Sequence, residues 1–493
     1  MKLNRLFFVL FDCLLAGSAI SCGNDNNDYI PPALEPDKPV NPEPDPDPIP
    51  KHEDGQPYDT YRGLVMAGYQ GWFGTPDDGC SHGKQWYHYQ EKGKFEPGVL
   101  RNSIDYWPDM REYEKTYTPG KFFFQNGTGQ AATVYSAYDK SSVLLHFKWM
   151  QQYGLDGVFM QRFVGEVINN PAGKDHFDKV LENAMEGSNT YQRAICVMYD
   201  LGGFMNDGRT TEKVLADAQN IKDKYQLDNR DAKQKFYLYE KEKPLIVLWG
   251  VGFNDNRSYS LNDIRELMTG LKEKGFSIML GVPTYWRDRR NDALNDSQLH
   301  DLIKAADVIM PWFVGRYDNN NYSNFYDLIA QDIKWCKENK VGYAPLCFPG
   351  SSDRNMHPNN DVNSRKSGEF FWKQLHYCIK AGAQMLYIAM FDEIDEGTAI
   401  YKCLNQKDVP GNIAEDDYWV LYEDGSYSER AMEKTGLSGN NWCRQAREMN
   451  ITFQGIDDTL PTDYYLQLTG EARAMLRGDK SLSESLPAPK SGQ

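Results

Sequence analysis

The feature that most constrains this chain is an eightfold rhythm. A short run of apolar, β-branched or aromatic residues recurs as GLVMAGY (63–69), DGVFMQRF (156–163), AICVMYDL (194–201), PLIVLWGV (244–251), FSIMLGVPTYW (276–286), DVIMPWFVG (307–315), VGYAPLCF (341–348) and AQMLYIAMFD (383–392). Most of these runs are continuous rather than alternating, as parallel strands covered on both faces require. Between them lie stretches with the 3.6-residue period. Val143, Phe147 and Met150 share a face that ends at Gly154; Val214, Ala218 and Ile221 share another. Ile264, Leu267 and Leu271 repeat the pattern up to Gly275, and Ile329, Ile333 and Cys336 repeat it again. Strand and helix alternating eight times predict an α/β fold, a (β/α)8 barrel forming one catalytic domain. An open doubly wound sheet is the alternative, but no Gly-rich phosphate turn follows any of the runs. The first connection, from Tyr69 to Asp156, is far longer than an ordinary strand-to-helix loop and rich in Gly and aromatics, so it is expected to cover the catalytic face.

The flanks read differently. Residues 1–21 carry Lys2 and Arg5, a short apolar stretch and small residues before Cys22, the pattern of an export signal too short to span a bilayer. AISC resembles the bacterial lipobox, so Cys22 is expected to be lipidated, anchoring an exported lipoprotein at the outer membrane, on its cell-surface or periplasmic side. Residues 22–57 are rich in Pro and Asp/Glu and predict an extended, disordered tether. Residues 58–478 are the expected barrel domain, and 479–493 a disordered tail. The formal net charge of −16 argues against nucleic acid as a partner. Nine cysteines, of which Cys13 and Cys22 precede the mature domain, are scattered without C-x-x-C or zinc spacing, so mostly buried thiols, no metal and no cofactor are expected. Nothing in the sequence points to more than a monomer.

In such barrels the chemistry sits at the C-terminal ends of the strands. Those positions hold Tyr69 and Trp72, Gln161 and Arg162, Tyr199 and Asp200, Trp249, Tyr285 and Trp286, and Trp312. Aromatic rings beside carboxylates and Arg suit a carbohydrate, because rings stack on pyranose C–H faces while polar groups bind hydroxyls. Core packing explains any one ring taken singly; their repetition at strand ends is what points to an oligo- or polysaccharide substrate.

FDEIDEGTAI (391–400) follows the eighth run. On a regular strand, residues three apart face opposite ways, so Glu393 and Glu396 can converge only if the chain bends, which Gly397 permits. Two converging carboxyls are the usual equipment for cleaving a glycosidic bond. A solvated acidic loop, helix N-terminal carboxylates and a calcium loop are the competing readings.

FDEIDEGTAI also resembles the Asn-Glu-Trp-His-Glu-Gly-Thr segment of glycoside hydrolase family 99, the endo-α-mannosidases and endo-α-mannanases, and of the related family 71. GYQGWFGTPDDG with WYHY, YSAYDKSSVLLHFKWMQQYGLDGVFM, FPGSSDRNMHPNNDVNSRKSGEFFWKQL and LPTDYYLQLT resemble further motifs of that family in the same order. The resemblance implies a retaining hydrolase of α-linked, mannan-like glycans. In it Glu393 would be the base assisting the sugar's own 2-hydroxyl, and Glu396 would protonate the leaving oxygen and then activate water. It also implies that Arg354, Asn359, Arg365 and Asp395 lie where sugar binds. This chain departs from the pattern at Asp392, Ile394 and Asp395, which leaves other glycans (xylosidase, arabinosidase or α-glucanase action) and a non-catalytic glycan-binding lipoprotein as alternatives.

Overall fold

The computed structural model describes residues 48–490 except 54, 81–85, 91–94, 96–102, 121, 123, 125–129, 231–232, 358–359, 411–418, 422–426 and 430–452. The expected signal segment, Cys22 and most of the tether lie outside the described residues.

Eight parallel strands form the centre. The first six are Val65–Tyr69, Gly157–Phe163, Ala194–Asp200, Lys243–Trp249, Ser277–Pro283 and Val308–Trp312, each paired with the next along the chain. The seventh is split. Gly342–Tyr343 pairs with the sixth strand, and Leu346–Cys347 pairs with the eighth, Leu386–Ile388. The eighth pairs with the first, so the ring closes. Pro345 stands at the break, where it has no N–H to donate; its carbonyl instead accepts from the Tyr387 N–H at 3.1 Å, and the Ala344 N–H reaches Ile309 O at 2.9 Å. The backbone therefore changes partners between neighbours without opening the barrel.

The helices form where the periodicity predicts them. Lys140–Tyr153 ends at Gly154 in the left-handed conformation, φ 79°. Leu261–Glu273 begins at Ser260, whose side chain accepts from the Asp263 N–H while the Asp263 carboxylate accepts from the Ser260 N–H, and it buries Ile264, Leu267 and Leu271 against the sheet. Pro171–Tyr191, Arg209–Tyr225, Gln298–Ala305, Tyr326–Asn339 and Glu369–Lys380 complete the outer layer. The final helix, Tyr464–Leu476, crosses the N-terminal end of the barrel. From there Arg473 Nε and Arg477 Nη2 reach Asp156 Oδ1 at 2.8 and 2.7 Å, and the Val65 N–H donates to Asp156 Oδ2 at 2.8 Å.

Two boundaries differ from the sequence reading. The eighth strand ends at Ile388, four residues before Asp392, because the chain turns away to form the acid loop. The tail after 478 is not frayed among the described residues. Tyr464 Oη donates to Pro487 O at 2.6 Å, the Lys490 N–H to Gln467 Oε1 at 2.9 Å, and Lys490 Nζ pairs with Glu471 at 2.7 Å. It is polar and lacks a core of its own, yet it lies along the last helix. Cys196, Cys336, Cys347, Cys378 and Cys403 are buried thiols. No described helix is long and apolar enough to cross a membrane.

Candidate active site

The acid loop is a closed excursion built on backbone bonds. Its stem is made by Ile400 N–H to Met390 O at 3.0 Å and Tyr401 N–H to Phe391 O at 3.0 Å. Its neck is the Glu393 carbonyl, which accepts from the Thr398 and Ala399 N–H groups at 3.0 and 2.9 Å. Gly397 makes the return possible: its φ is +65°, and a Cβ there would lie 2.7 Å from Ser352 N. Residues three apart, which a strand would send to opposite faces, are thereby held on one short excursion, where the charge of Glu393 reaches Glu396. The bend inferred from the sequence exists, but it begins before the acids rather than between them.

The first loop and the loop after the seventh strand lock this excursion over the barrel mouth. Asp392 is fully buried and spent on the framework: the Gln70 N–H donates to its Oδ1 at 2.7 Å and the Gly71 N–H to its Oδ2 at 2.9 Å, tying the eighth strand's exit to the first strand's end. The Ile394 carbonyl accepts from the Asp105 and Tyr106 N–H groups at 2.9 and 3.1 Å, and the Glu396 carbonyl from the Ser352 N–H at 2.8 Å. Asp105 in turn accepts from Ser352 Oγ, from the Arg354 N–H at 3.0 Å and from the Asn355 N–H at 2.8 Å. The long first loop therefore does cover the face that the sequence assigned to it.

Glu393 is 3% exposed. Its two oxygens accept from Gln70 Nε2 and Thr398 Oγ1, both neutral donors. Burial, then the charge of Asp395, raise its pKa from 4.5 to about 8 against the opposing pull of those two bonds. Glu396 keeps part of its surface in solvent. Its carboxyl is also pushed well above the ordinary range, by desolvation first and then by Glu393, Asp395, Asp353 and Asp200, with the partial exposure tempering the push. Asp392 rises to about 7, chiefly by burial. Among the described residues no lysine or arginine forms an ion pair with Asp392, Glu393 or Glu396. The mouth thus gathers carboxyls that cannot all ionise at neutral pH, the condition under which one keeps a proton to donate while another can accept. Among the described residues no group of three or more His, Cys, Asp or Glu is arranged to hold a metal ion.

The other sequence-predicted residues divide by the phase of their strands. Successive strand residues face the barrel interior and the helical layer in turn. Gln161 and Asp200 fall on the inner side: Gln161 Nε2 lies 3.5 Å from Met198 Sδ, and the charge of Asp200 reaches Glu396. Arg162 and Tyr199 fall on the outer side, which corrects their assignment to substrate. Arg162, 2% exposed, donates to Asp217 at 2.6 Å and Asp178 at 2.7 Å, and Tyr199 Oη donates to Asp217 at 2.7 Å. Tyr69 is likewise core, its hydroxyl 2.8 Å from His146 Nδ1. Trp286 is fully buried against Trp335, ring centroids 4.9 Å apart. Arg365 is a clamp on the acid loop: its Nη2 donates to the Gly397 and Ala399 carbonyls at 2.9 and 2.7 Å, and its guanidinium lies over Tyr106 and Tyr465. Asp395 is almost wholly buried, with Oδ2 3.2 Å from His88 Nδ1. Arg354 is exposed, and Tyr285, half-buried, lies under Arg290, 4.3 Å from its ring centre. Asn359 lies outside the described residues.

Trp249 and Trp312 do meet, edge to face at 5.1 Å. Gly281, paired opposite Trp249, leaves the room: a Cβ there would strike the indole at 2.4 Å. Trp72 stacks on His88 at 3.8 Å and on Phe163 at 5.2 Å. Sequence reasoning missed Gln70, Thr398, His88 and Tyr387. Gln70 sits beside the named Tyr69 and one residue further along the loop; Tyr387, buried between Glu393 and Asp200, was hidden inside an apolar run.

No family model matches the sequence, and no curated protein matches it. Solved structures do. The endo-alpha-mannosidase of glycoside hydrolase family 99 from Bacteroides thetaiotaomicron, in complex with bis-tris-propane, is similar with a TM-score of 0.55 at 15% identity, covering 86% of this chain and 100% of that one. A second structure described as that endo-alpha-mannosidase gives a TM-score of 0.52 at 15% identity, covering 85% and 99%. This likeness, nearly end to end on the other chain, is one of fold: a (β/α)8-type barrel of the kind found in glycoside hydrolases.

Proposed function

We propose that this protein is a retaining glycoside hydrolase acting on α-linked, mannan-like glycans, with Glu393 and Glu396 as its reacting pair. The observation that supports the reading is the acid loop itself: two glutamates three apart on one pinned excursion after the last barrel strand, crowded by carboxylates and without a basic partner among the described residues. Glu396, the more exposed, donates its proton to the leaving glycosidic oxygen and then takes one from water. Glu393, oriented by Gln70 and Thr398, accepts the proton of the sugar's 2-hydroxyl as that oxygen attacks the anomeric carbon. The mechanism needs one proton on the pair, and both carboxyls titrate high, so that form is populated at higher pH than for two isolated glutamates.

Glu393→Gln and Glu396→Gln should each lower turnover at least ~100-fold, measured by product release from a panel of α-mannans, xylans and α-glucans. Full activity in either variant refutes the pair. Glycan affinity without product in the unmodified protein would make it a binding protein instead, and cleavage of xylan or α-glucan alone would move the specificity. We also propose that the exported protein is held at the outer membrane by lipid on Cys22; Cys22→Ala should then shift it from the membrane to the soluble fraction.

A further inference from the structure

Asp395 has no part in the two-glutamate scheme, yet the fold holds it in place with care. It lies between Glu393 and Glu396 on the same loop and is 2% exposed. Its flanking residues are pinned through their carbonyls, Ile394 by the Asp105 and Tyr106 N–H groups and Glu396 by the Ser352 N–H, which fixes the backbone on either side of it. One carboxylate oxygen, Oδ2, lies 3.2 Å from His88 Nδ1. Among the described residues the other, Oδ1, is buried with no well-formed hydrogen bond; the nearby Asp395 and Glu396 N–H groups favour the charged form, but burial outweighs them, so an ionised carboxylate there calls for a nearby positive charge. His88 comes from the first loop, and its ring is fixed by the stack on Trp72 at 3.8 Å with the planes 7° apart.

We propose that Asp395, paired with His88, is a positioning residue that sets how many protons Glu393 and Glu396 share, a role that rests on the hydrolase reading above. The groups facing it are Asp392, Glu393 and Glu396 on its own loop, His88, Tyr89 and Asp105 on the first loop, and Asp353 on the loop after the seventh strand. All but His88 are acids. Burial pushes the Asp395 carboxyl itself well above the usual carboxylate range, so it ionises later than a free aspartate; once ionised, its negative charge holds protons on the two glutamates, and the imidazolium of His88 moderates that charge. His88 thus links the lid-like first loop to the protonation of the pair.

Two measurements test this, and they fail separately. The first needs no activity. Protonated imidazole quenches a stacked indole, so the fluorescence difference between the unmodified protein and Trp72→Phe should follow His88 as pH changes. Asp395→Asn removes the carboxylate that favours the imidazolium, and the transition should move down by about one pH unit. An unmoved transition overturns the pairing, whatever the protein's activity. The second is the pH profile of kcat/KM on whichever glycan is cleaved. Asp395→Asn should lower the alkaline limb by about one unit, because the acid loses its proton sooner. His88→Phe, which keeps the stack and removes the positive charge, should raise that limb. It also serves as the second variant if the asparagine protein does not fold. Limbs that stay in place in both variants, with the glutamates still essential, would make Asp395 a bystander while leaving the hydrolase reading intact.

Discussion

Asp217 and Glu393 are both buried carboxylates of one barrel, and they are treated in opposite ways. Asp217, in the helical layer, is embraced by Arg162 and Tyr199 and approached by Lys174 at 3.3 Å. Burial works against its charge, but the Arg162 bonds and charge prevail and hold its pKa below the usual value. Glu393, at the mouth, has only neutral donors and acidic neighbours, and its pKa climbs to about 8. Asp156, at the far end of the barrel, is likewise held by Arg473 and Arg477, whereas Glu396 has no basic partner among the described residues. The carboxylates of the helical layer and the far end of the barrel are given guanidinium partners; Asp392 and Glu393 at the mouth are held by neutral donors alone. Two buried acids can therefore differ in protonation through what surrounds them, even where their exposure is alike.

The largest effect that can break this contrast is on the framework side. Arg162→Met strands Asp217 in the helical layer and should cost about 3 kcal/mol of stability, read from urea unfolding. A cost near zero would show that the pairing secures nothing. Next is Gly397→Ala, which forces a Cβ against Ser352 and a left-handed backbone on alanine. It should cost ~1–3 kcal/mol and reduce turnover, since it disturbs the loop that carries both glutamates. Retained stability together with full activity would mean that the loop does not depend on this turn.

The smallest effect is the pH dependence of stability, where the two kinds of carboxylate pull in opposite directions. Asp217, with a lowered folded pKa, contributes stability that is present above its unfolded pKa and is lost as the pH falls through its folded value. Glu393, with a raised pKa, does the reverse. Between its ordinary 4.5 and about 8 the folded state holds a proton that the unfolded chain has released, so its contribution fades as pH rises across that window. Glu393→Gln should flatten that decline between pH 5 and pH 8 by about 1 kcal/mol or more, seen as a smaller fall in melting temperature. An unchanged slope would mean that Glu393 titrates normally and that the contrast with Asp217 is one of position alone.

Much of the fold was legible because its signals are local. Continuous apolar runs mark doubly covered strands and Gly154 marks a helix end, whereas the break at Pro345 lay hidden in a run that reads as one strand. The length of the Tyr69–Asp156 connection also announced a covering loop. What failed was phase. Arg162 and Asp200 both stand at strand ends, and nothing in their neighbourhood says which faces the mouth, because the residues on both sides of a barrel strand are apolar. Trp286 and Tyr69 were drawn into the site by the same ambiguity. Arg365 lies near the acid loop, as its motif suggested, but it binds backbone carbonyls rather than sugar.

The sequence by itself determined the eightfold alternation, the long covering loop and the place of Glu393 and Glu396 after the last strand, since each depends on residue type within a short window. Only the tertiary structure decided which carboxylates are crowded by other acids and which are neutralised. That choice depends on partners far away in the chain: His88 and Gln70 from the first loop, Ser352 from the loop after the seventh strand, and Arg162 with Asp217 across the wall. Protonation follows from desolvation and from the sign of neighbouring charges, and both come into being only when the barrel closes.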